Sequence, residues 1–309
     1  MKTIVVAGGA GFIGSHLCER LLKDGEKVVC VDNFVTGSKK NVETLMQNEN
    51  FNLLEHNITK PIEVEEEVDQ IYNMASPASP VDFPRIPIEI LLTSSLGLKN
   101  LLDFAIEKKA RIFQASTSEV YGNPLEHPQK ETYFGNVNTL GPRSCYDEGK
   151  RFAEALLMAY VRKKNAEVRI VRIFNTYGPR MRPDDGRVLP NFINQAIEEK
   201  PLTVYGDGSQ TRSFCFVSDE VDGIVKLMNS SYAKPCNIGN PNEMTIKELA
   251  ELVIKTIGSK SELAFKSLPG DDPAKRKPDI SVAKKELGWE PKVSLEEGLK
   301  KTIDFFKGE

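Results

Sequence analysis

The first 32 residues contain the pattern that most limits what this chain can fold into. A β-branched run, Thr3–Ala7, is followed by a glycine-rich turn at residues 8–14 and by an apolar-periodic segment. A second short apolar run then ends at Asp32. Strand, glycine turn, helix, strand and acid, in that order, are what a dinucleotide-binding βαβ unit requires. The pattern predicts a parallel α/β sheet with a dinucleotide at its carboxyl edge.

Each part of this unit has a physical role. Gly8, Gly11 and Gly14 permit a tight turn, a close approach of a pyrophosphate to backbone N–H groups, and close helix–strand packing. The helix N-terminus favours the negative charge of the phosphates. Asp32 can accept hydrogen bonds from both ribose hydroxyls and repels a 2′-phosphate, so the sequence predicts NAD rather than NADP. A P-loop is excluded because Ser15-His16 stands where Lys and Ser/Thr are required.

Strand-like and helix-like segments alternate up to residue 174, which predicts a doubly wound parallel sheet, the Rossmann fold. The glycine turn, Asp32 and the other residues with distinctive chemistry come directly after predicted strands. They therefore lie at the carboxyl edge of the sheet, where ligands bind. After residue 174 the chain becomes rich in Gly, Pro and Arg, and later mostly helical. We expect an NAD-binding domain of residues 1–174 and about 214–236. A smaller, mostly helical substrate-binding lobe would comprise about 175–213 and 237–309.

Composition narrows the function further. The net charge of -3 gives no electrostatic case for nucleic acid or an anionic membrane, and no apolar run approaches the ~20 residues of a membrane span. The five cysteines are scattered without a CxxC pair, which is typical of reduced thiols in the cytoplasm. The three histidines are far apart. We therefore expect a cytoplasmic protein without a metal site.

Tyr146 and Lys150 are four residues apart at the start of a predicted helix, so they lie on one face, one turn apart. A tyrosine with its ordinary pKa of about 10 is a poor base at neutral pH. A neighbouring cation lowers this pKa by favouring the phenolate. We expect Lys150, together with the positively charged ring of the cofactor, to supply that shift.

These residues resemble a known family, the extended short-chain dehydrogenases/reductases that act on nucleotide sugars. The resemblance covers essentially the whole chain. Its motifs are Ala7-Gly-Gly-Ala-Gly-Phe-Ile-Gly14, Asp32-Asn33, Thr117 before Val-Tyr121-Gly, the Tyr146/Lys150 pair, and Asn175. Within the family, Ser116–Gly122, Gly141–Lys150 and Asp272–Asp279 are most similar to enzymes that decarboxylate UDP-glucuronate to UDP-xylose.

The resemblance implies a site in three parts. The implied catalytic residues are Tyr146, Lys150, Thr117, Ser118, Glu119 and Arg276. The implied contacts to NAD are Gly8, Gly11, Phe12, Ile13, Gly14, Asp32, Asn33, Asn57, Ile58, Ala75 and Lys150. The implied contacts to a UDP-sugar are Pro77, Arg143, Asn175, Arg187, Val188, Tyr205, Gln210, Arg212 and Arg276. Asn57 departs from the family pattern, in which an Asp often contacts the adenine.

Glu119 and Arg276 favour decarboxylation over related reactions. A 4-epimerase needs no acid beside C5, and a dTDP-glucose 4,6-dehydratase carries an Asp-Glu pair where this chain has Ser118-Glu119. Both remain the alternatives on the same scaffold, together with an inactive NAD-sensing protein. The resemblance also implies a homodimer formed through the helices at residues 88–109 and 147–164.

Overall fold

A computed structural model describes residues 1–267 and 275–308 of the chain. Its strands, in chain order, are β1 (Thr3–Ala7), β2 (Lys27–Asp32), β3 (Phe51–Glu55), β4 (Gln70–Asn73), β5 (Arg111–Thr117), β6 (Val168–Ile173), β7 (Thr176–Tyr177), β8 (Leu202–Tyr205), β9 (Thr211–Ser213), β10 (Cys215–Phe216), β11 (Pro235–Ile238), β12 (Glu243–Thr245), β13 (Leu263–Lys266) and β14 (Lys275–Arg276). Its α-helices are α1 (Phe12–Lys23), α2 (Pro87–Leu92), α3 (Leu98–Lys108), α4 (Ser144–Lys164), α5 (Val188–Ile197), α6 (Val217–Asn229), α7 (Ile246–Ile257), α8 (Ser281–Leu287) and α9 (Leu295–Lys307).

The central sheet has seven parallel strands in the order β11-β6-β5-β4-β1-β2-β3. The order reverses between β1 and β4, which is the switch point where such sheets bind dinucleotides. The turn after β1 and the loop after β4 therefore open into the same crevice. The predicted doubly wound sheet is confirmed.

Both faces of this sheet are buried, as its strand sequences require. Alternate residues of β1 belong to two different apolar clusters: Ile4 and Val6 pack on one face, Val5 and Ala7 on the other. Helices α1 and α6 contribute to the first cluster, and α3 and α4 to the second. Each strand end is thus held rigidly by two packed layers.

The helix predicted at residues 88–109 is built from α2, one wider π turn at Thr93–Gly97, and α3. Small residues let this segment approach its neighbours closely. A Cβ at Gly97 would lie 2.9 Å from the side chain of Ile58, and one at Gly149 of α4 would lie 3.2 Å from Ser94 Oγ. The close contact at Gly149 sets α4, and with it Tyr146, against the segment formed by α2, the π turn and α3.

The second lobe combines helices with small sheets. The strands form the sets β10-β7, β12-β9-β14 and β13-β8, and α5, α7 and α9 pack on one another. Strand β11 pairs with β6 of the central sheet as far as Ile238. This is two residues beyond residue 236, where we expected the NAD-binding domain to end. Asp272, at the start of the motif that ends at Asp279, lies outside the described residues.

Three further observations concern the described part of the chain. None of its helices has the length and apolar character needed to cross a membrane. No group of three or more His, Cys, Asp or Glu side chains within it could hold a metal ion. All five cysteines are buried free thiols.

Candidate active site

A cleft of about 880 Å³ lies where the strand ends of the central sheet face the second lobe. Residues predicted for cofactor, catalysis and substrate share its walls. Those that line it are Gly8, Gly11, Phe12, Ile13, Gly14, Thr117, Ser118, Glu119, Arg143, Tyr146, Lys150, Asn175, Arg187, Val188, Tyr205, Gln210, Arg212 and Arg276. A single cavity therefore brings together residues that are up to 268 positions apart in sequence.

The glycine turn leaves no room for side chains. A Cβ at Gly14 would lie 2.1 Å from the carbonyl oxygen of Gly8, and a Cβ at Gly8 would lie 2.6 Å from the backbone nitrogen of Ala75. Gly8 also has φ of +76°, which disfavours any other residue. The start of α1, at Phe12, Ile13 and Gly14, lines the cleft, and a helix N-terminus at that place favours a pyrophosphate.

Asp32 lies at the end of β2 beneath this turn and is largely buried. Its carboxylate accepts hydrogen bonds from the backbone N–H of Ala10 (3.0 Å) and of Phe34 (2.8 Å). Burial raises the pKa of Asp32, and these N–H groups oppose the rise. The acid is thus fixed at the point where an adenosine ribose would follow the pyrophosphate.

Six predicted residues lie outside the walls of the cleft: Asp32, Asn33, Asn57, Ile58, Ala75 and Pro77. The exposed side chains of Asn33 and Asn57 stabilise their own turns. Asn33 Oδ1 accepts from the N–H of Val35 (3.3 Å), and Asn57 Oδ1 accepts from the N–H and the hydroxyl of Thr59 (both 3.0 Å). Their contact with a cofactor stays a prediction.

Tyr146 lies in the first turn of α4 and is 7% exposed. Its ring stacks on Phe83, with 5.3 Å between centroids. Lys150 Nζ lies 5.7 Å from the Tyr146 ring centroid and donates a hydrogen bond to the carbonyl oxygen of Ala115 (2.8 Å). The predicted pair therefore occupies one face of α4, beside the end of β5.

Burial shifts the pKa values of both side chains. It raises the pKa of Tyr146 to about 12, although the hydroxyl of Thr117 acts in the opposite direction. It lowers the pKa of Lys150 to about 8. Burial outweighs the opposing effects of Thr117 and Arg187 on the pKa of Tyr146. The lowering that we expected from Lys150 and the cofactor ring together stays a prediction.

Glu119 is held between two guanidinium groups. It follows β5 in the 3₁₀ turn Ser118–Tyr121. Arg276 Nη1 donates to Glu119 Oε1, and Arg143 Nη2 donates to Glu119 Oε2 at 2.7 Å. Burial would raise the pKa of Glu119, but the charges of Arg276 and Arg143 lower it to about 2. The carboxylate is therefore ionised at neutral pH and cannot itself donate a proton.

Arg276 reaches Glu119 from the second lobe. It lies on β14, which pairs with β9 so that Arg276 stands opposite Arg212. The segment is also fixed by Gln129, whose side-chain oxygen accepts from the N–H of Lys277 (2.9 Å). Only 4% of Arg276 is exposed. The pair with Glu119 therefore joins the two lobes across the cleft.

The start of α5 adds positive charge to the cleft. Arg187 is the N-cap residue of α5 and Val188 its first residue, so the positive end of the helix dipole adds to the guanidinium. Arg187 pairs with Asp185, with 2.7 Å between Nη2 and Oδ2. Arg212 lines the same cavity. This combination favours an anion such as a diphosphate.

Several residues in and beside the cleft were missed by the sequence analysis. Ser79 Oγ donates to the carbonyl oxygen of Asp185, and the buried Asp82 pairs with Arg182 at 3.3 Å. These contacts tie the loop after β4 to the loop before α5. The two adjacent acids before Arg187 were the only sequence feature that could have indicated these contacts. Phe83 follows a Pro-rich loop, and no sequence pattern indicates that it packs on Tyr146.

Comparison with known proteins identifies the scaffold. A family model described as GDP-mannose 4,6 dehydratase matches residues 5–302. UDP-glucuronic acid decarboxylase 1 of Xenopus tropicalis is 54% identical over 308 residues, 100% of this chain and 73% of that protein. The chain belongs to the UDP-glucuronic acid decarboxylase family. UDP-glucuronic acid decarboxylase 1 of Arabidopsis thaliana is 55% identical over 304 residues, 98% of this chain and 69% of that protein.

Solved structures of epimerases share this scaffold. UDP-glucuronic acid 4-epimerase of Bacillus cereus, solved with UDP-glucuronic acid and NAD, is 30% identical with a TM-score of 0.89 and covers 99% of both chains. UDP-glucose 4-epimerase of Thermotoga maritima, solved with UDP-glucose, has the same identity, TM-score and coverage. The decarboxylase family therefore shares this scaffold with epimerases, and the residues of the cleft must decide the chemistry.

Proposed function

We propose that this chain converts UDP-glucuronate to UDP-xylose and carbon dioxide, with NAD as a cofactor recycled in each turnover. The observation that carries the proposal is the Glu119 carboxylate clamped by Arg143 and Arg276 in the same cleft as Tyr146 and Thr117. Identity of 54–55% to named decarboxylases along nearly the whole chain supports it.

The glycine turn and Asp32 fit NAD. A Cβ at Gly8 or Gly14 would collide with neighbouring backbone, so only glycine allows the tight turn that this cofactor requires, and the Asp32 carboxylate would repel a 2′-phosphate. When bound, NAD accepts a hydride from C4 of the sugar and later returns it to the same carbon. Lys150 would hold the nicotinamide ribose.

Tyr146 acts on the oxygen at C4. As C4 is oxidised, the phenolate of Tyr146 takes the proton of the C4 hydroxyl. The hydroxyl of Thr117 donates a hydrogen bond to that oxygen as it becomes a carbonyl. Lys150, with the positive ring of the bound cofactor, stabilises the phenolate. When C4 is reduced again, Tyr146 returns the proton to the oxygen.

Oxidation makes decarboxylation possible because the C4 ketone is β to the C6 carboxylate. The C5–C6 bond breaks, its electron pair enters an enolate over C4 and C5, and carbon dioxide leaves. The enolate then takes one proton at C5, so one proton is consumed per turnover. Glu119, ionised between two guanidinium groups, positions the water or acid that supplies this proton.

Substrates of related enzymes test the proposal. The purified protein with NAD should release carbon dioxide from UDP-glucuronate and leave UDP-glucose and dTDP-glucose unchanged. Epimerisation of UDP-glucose would instead favour a 4-epimerase, and loss of water from dTDP-glucose would favour a dehydratase.

We expect Arg212 to hold the diphosphate, because a guanidinium can bond two phosphate oxygens at once. Replacing Arg212 with Lys keeps the charge but loses the bidentate hydrogen bonding of the guanidinium. KM for UDP-glucuronate should therefore rise by about tenfold, equivalent to ~1.4 kcal/mol. The dissociation constant of NAD should not change. Lys275→Ala, an exposed cation near Arg212, is the matched control. An unchanged KM for the Arg212→Lys variant would remove Arg212 from the diphosphate site.

We propose a homodimer formed through the helices at residues 88–109 and 147–164, which are α2, α3 and α4. Four apolar side chains of α2 and the π turn after it are 42–66% exposed: Ile88, Leu91, Leu92 and Leu96. Phe152 of the adjacent α4 is 49% exposed. A contiguous apolar surface of this kind favours association. We also propose a cytoplasmic location, because five free thiols are typical of a reducing compartment.

The dimer predicts the effect of a charge on this surface. Phe152→Glu should halve the mass measured by light scattering, because a buried carboxylate opposes the interface. Leu125→Glu, at a side chain 81% exposed elsewhere, is the control and should leave the mass unchanged. A Phe152→Glu variant that keeps the wild-type mass would contradict this interface.

A further inference from the structure

A buried carboxyl group, that of Asp147, lies behind the Glu119 cluster and has no role in the mechanism above. Asp147 follows Tyr146 on α4 and is 7% exposed. Its Oδ2 lies 3.9 Å from Nε of Arg143, which is one helical turn away. Its Oδ1 is buried and has no hydrogen-bond partner within residues 1–267 and 275–308.

Charges from three elements face this group. Glu119 faces it from the turn after β5, Arg276 from β14, and Arg143 and Glu148 from its own helix. Burial and then the negative charge of Glu119 raise the pKa of Asp147 to about 7, against the two guanidinium groups. A buried oxygen without a donor also favours the neutral acid, because an unpaired buried carboxylate is costly.

The protonation of Asp147 decides the charge of the whole cluster. The guanidinium groups of Arg143 and Arg276 contribute two positive charges, and the Glu119 carboxylate contributes one negative charge. With Asp147 neutral the cluster keeps one net positive charge, and with Asp147 ionised it keeps none. Glu119, Arg143 and Arg276 all line the cleft, so this charge acts on whatever binds there.

We propose that Asp147 is a positioning residue: packed against Arg143 as a neutral acid, it leaves the cluster of Glu119, Arg143 and Arg276 one positive charge, which positions the carboxylate of the substrate. This inference rests on the proposed function, since it assumes a sugar that carries a carboxylate. It explains why a second acid is buried beside a carboxylate that is already paired.

Binding of UDP-glucuronate should weaken as the pH rises. Because the pKa of Asp147 is raised to about 7, the group is neutral below that pH and ionised above it. Affinity for UDP-glucuronate should therefore fall as the pH rises through this value. Affinity for UDP-xylose, which has lost the carboxylate, should not.

Calorimetric binding to the NADH-loaded protein tests this without turnover. Between pH 6 and 8.5, the dissociation constant of UDP-glucuronate should rise about fivefold or more, and that of UDP-xylose less than about twofold. In Asp147→Asn, which is neutral at every pH, the rise for UDP-glucuronate should fall to that of UDP-xylose, because the titration of Lys150 acts on both UDP-sugars. Glu148→Gln removes the smallest of the charges that act on Asp147, so the rise should remain with its midpoint at a slightly lower pH.

These measurements distinguish failure of the role of Asp147 from failure of the proposed function. An equal rise for both sugars in the wild-type protein, or an unchanged rise in Asp147→Asn, would overturn the role of Asp147. The wild-type comparison of the two sugars needs no variant, so it stands even when a substitution impairs folding. Failure of the proposed function would appear elsewhere, as UDP-glucuronate that binds the NAD-loaded protein without releasing carbon dioxide.

Discussion

Replacing Tyr146 with phenylalanine is expected to lower kcat for UDP-glucuronate by about 10²- to 10⁴-fold, the range for loss of a general acid–base. The variant keeps the ring that stacks on Phe83 and loses only the hydroxyl. Dissociation constants for NAD and UDP should therefore change by less than about twofold. Steady-state release of carbon dioxide and calorimetric binding together measure both effects.

A tyrosine on the same helix provides the matched control. Tyr160 donates its hydroxyl to Asp103 (2.6 Å) on the surface, remote from the cleft walls. Tyr160→Phe should keep wild-type turnover. If Tyr146→Phe retained kcat within about threefold of wild type, the base for C4 oxidation would have to be another group.

Glu119→Gln is expected to separate decarboxylation from hydride transfer. The amide cannot hold two guanidinium groups as the carboxylate does, so the water or acid at C5 loses its position. We expect kcat for carbon dioxide release to fall by about 10²-fold or more, with UDP binding changed less than twofold. Oxidation of UDP-xylose at C4, followed as NADH absorbance, should continue because Tyr146 and Thr117 are intact.

This substitution also breaks a buried ion pair, and removing one partner of such a pair costs about 3–5 kcal/mol of stability. Glu154→Gln controls for that cost, because Glu154 pairs with Arg172 at 2.7 Å, beyond the cleft walls. Thermal unfolding should show losses in both variants, whereas only Glu119→Gln should lose turnover. Equal turnover in Glu119→Gln and wild type would reject the role of Glu119.

Local pattern was sufficient to predict the cofactor half of the molecule. The βαβ unit from Thr3 to Asp32 follows from strand, glycine and helix signals within 32 residues, and the structure reproduces it. Tyr146 and Lys150 share a face because helical geometry alone requires it. Such features depend on neighbours in sequence, so a single sequence contains them.

The contacts between distant segments could not be predicted in the same way. Glu119 and Arg276 are 157 residues apart, and their pairing depends on β14 adding to β9 in the second lobe. The raised pKa of Tyr146 depends on burial by the loop that carries Phe83. The burial of Asp147 could not be predicted from the sequence, because an acid in the first turn of a helix is common and usually exposed.

The central claim is that a carboxylate leaves the sugar while NAD is recycled. Its most direct test is to incubate the protein and NAD with UDP-glucuronate labelled with ¹³C at C6, in D₂O, and follow both products by NMR. We predict labelled carbon dioxide and UDP-xylose in equal amounts, one deuterium at C5, and no accumulation of NADH. Label retained at C6 in a UDP-sugar epimerised at C4 would contradict the account.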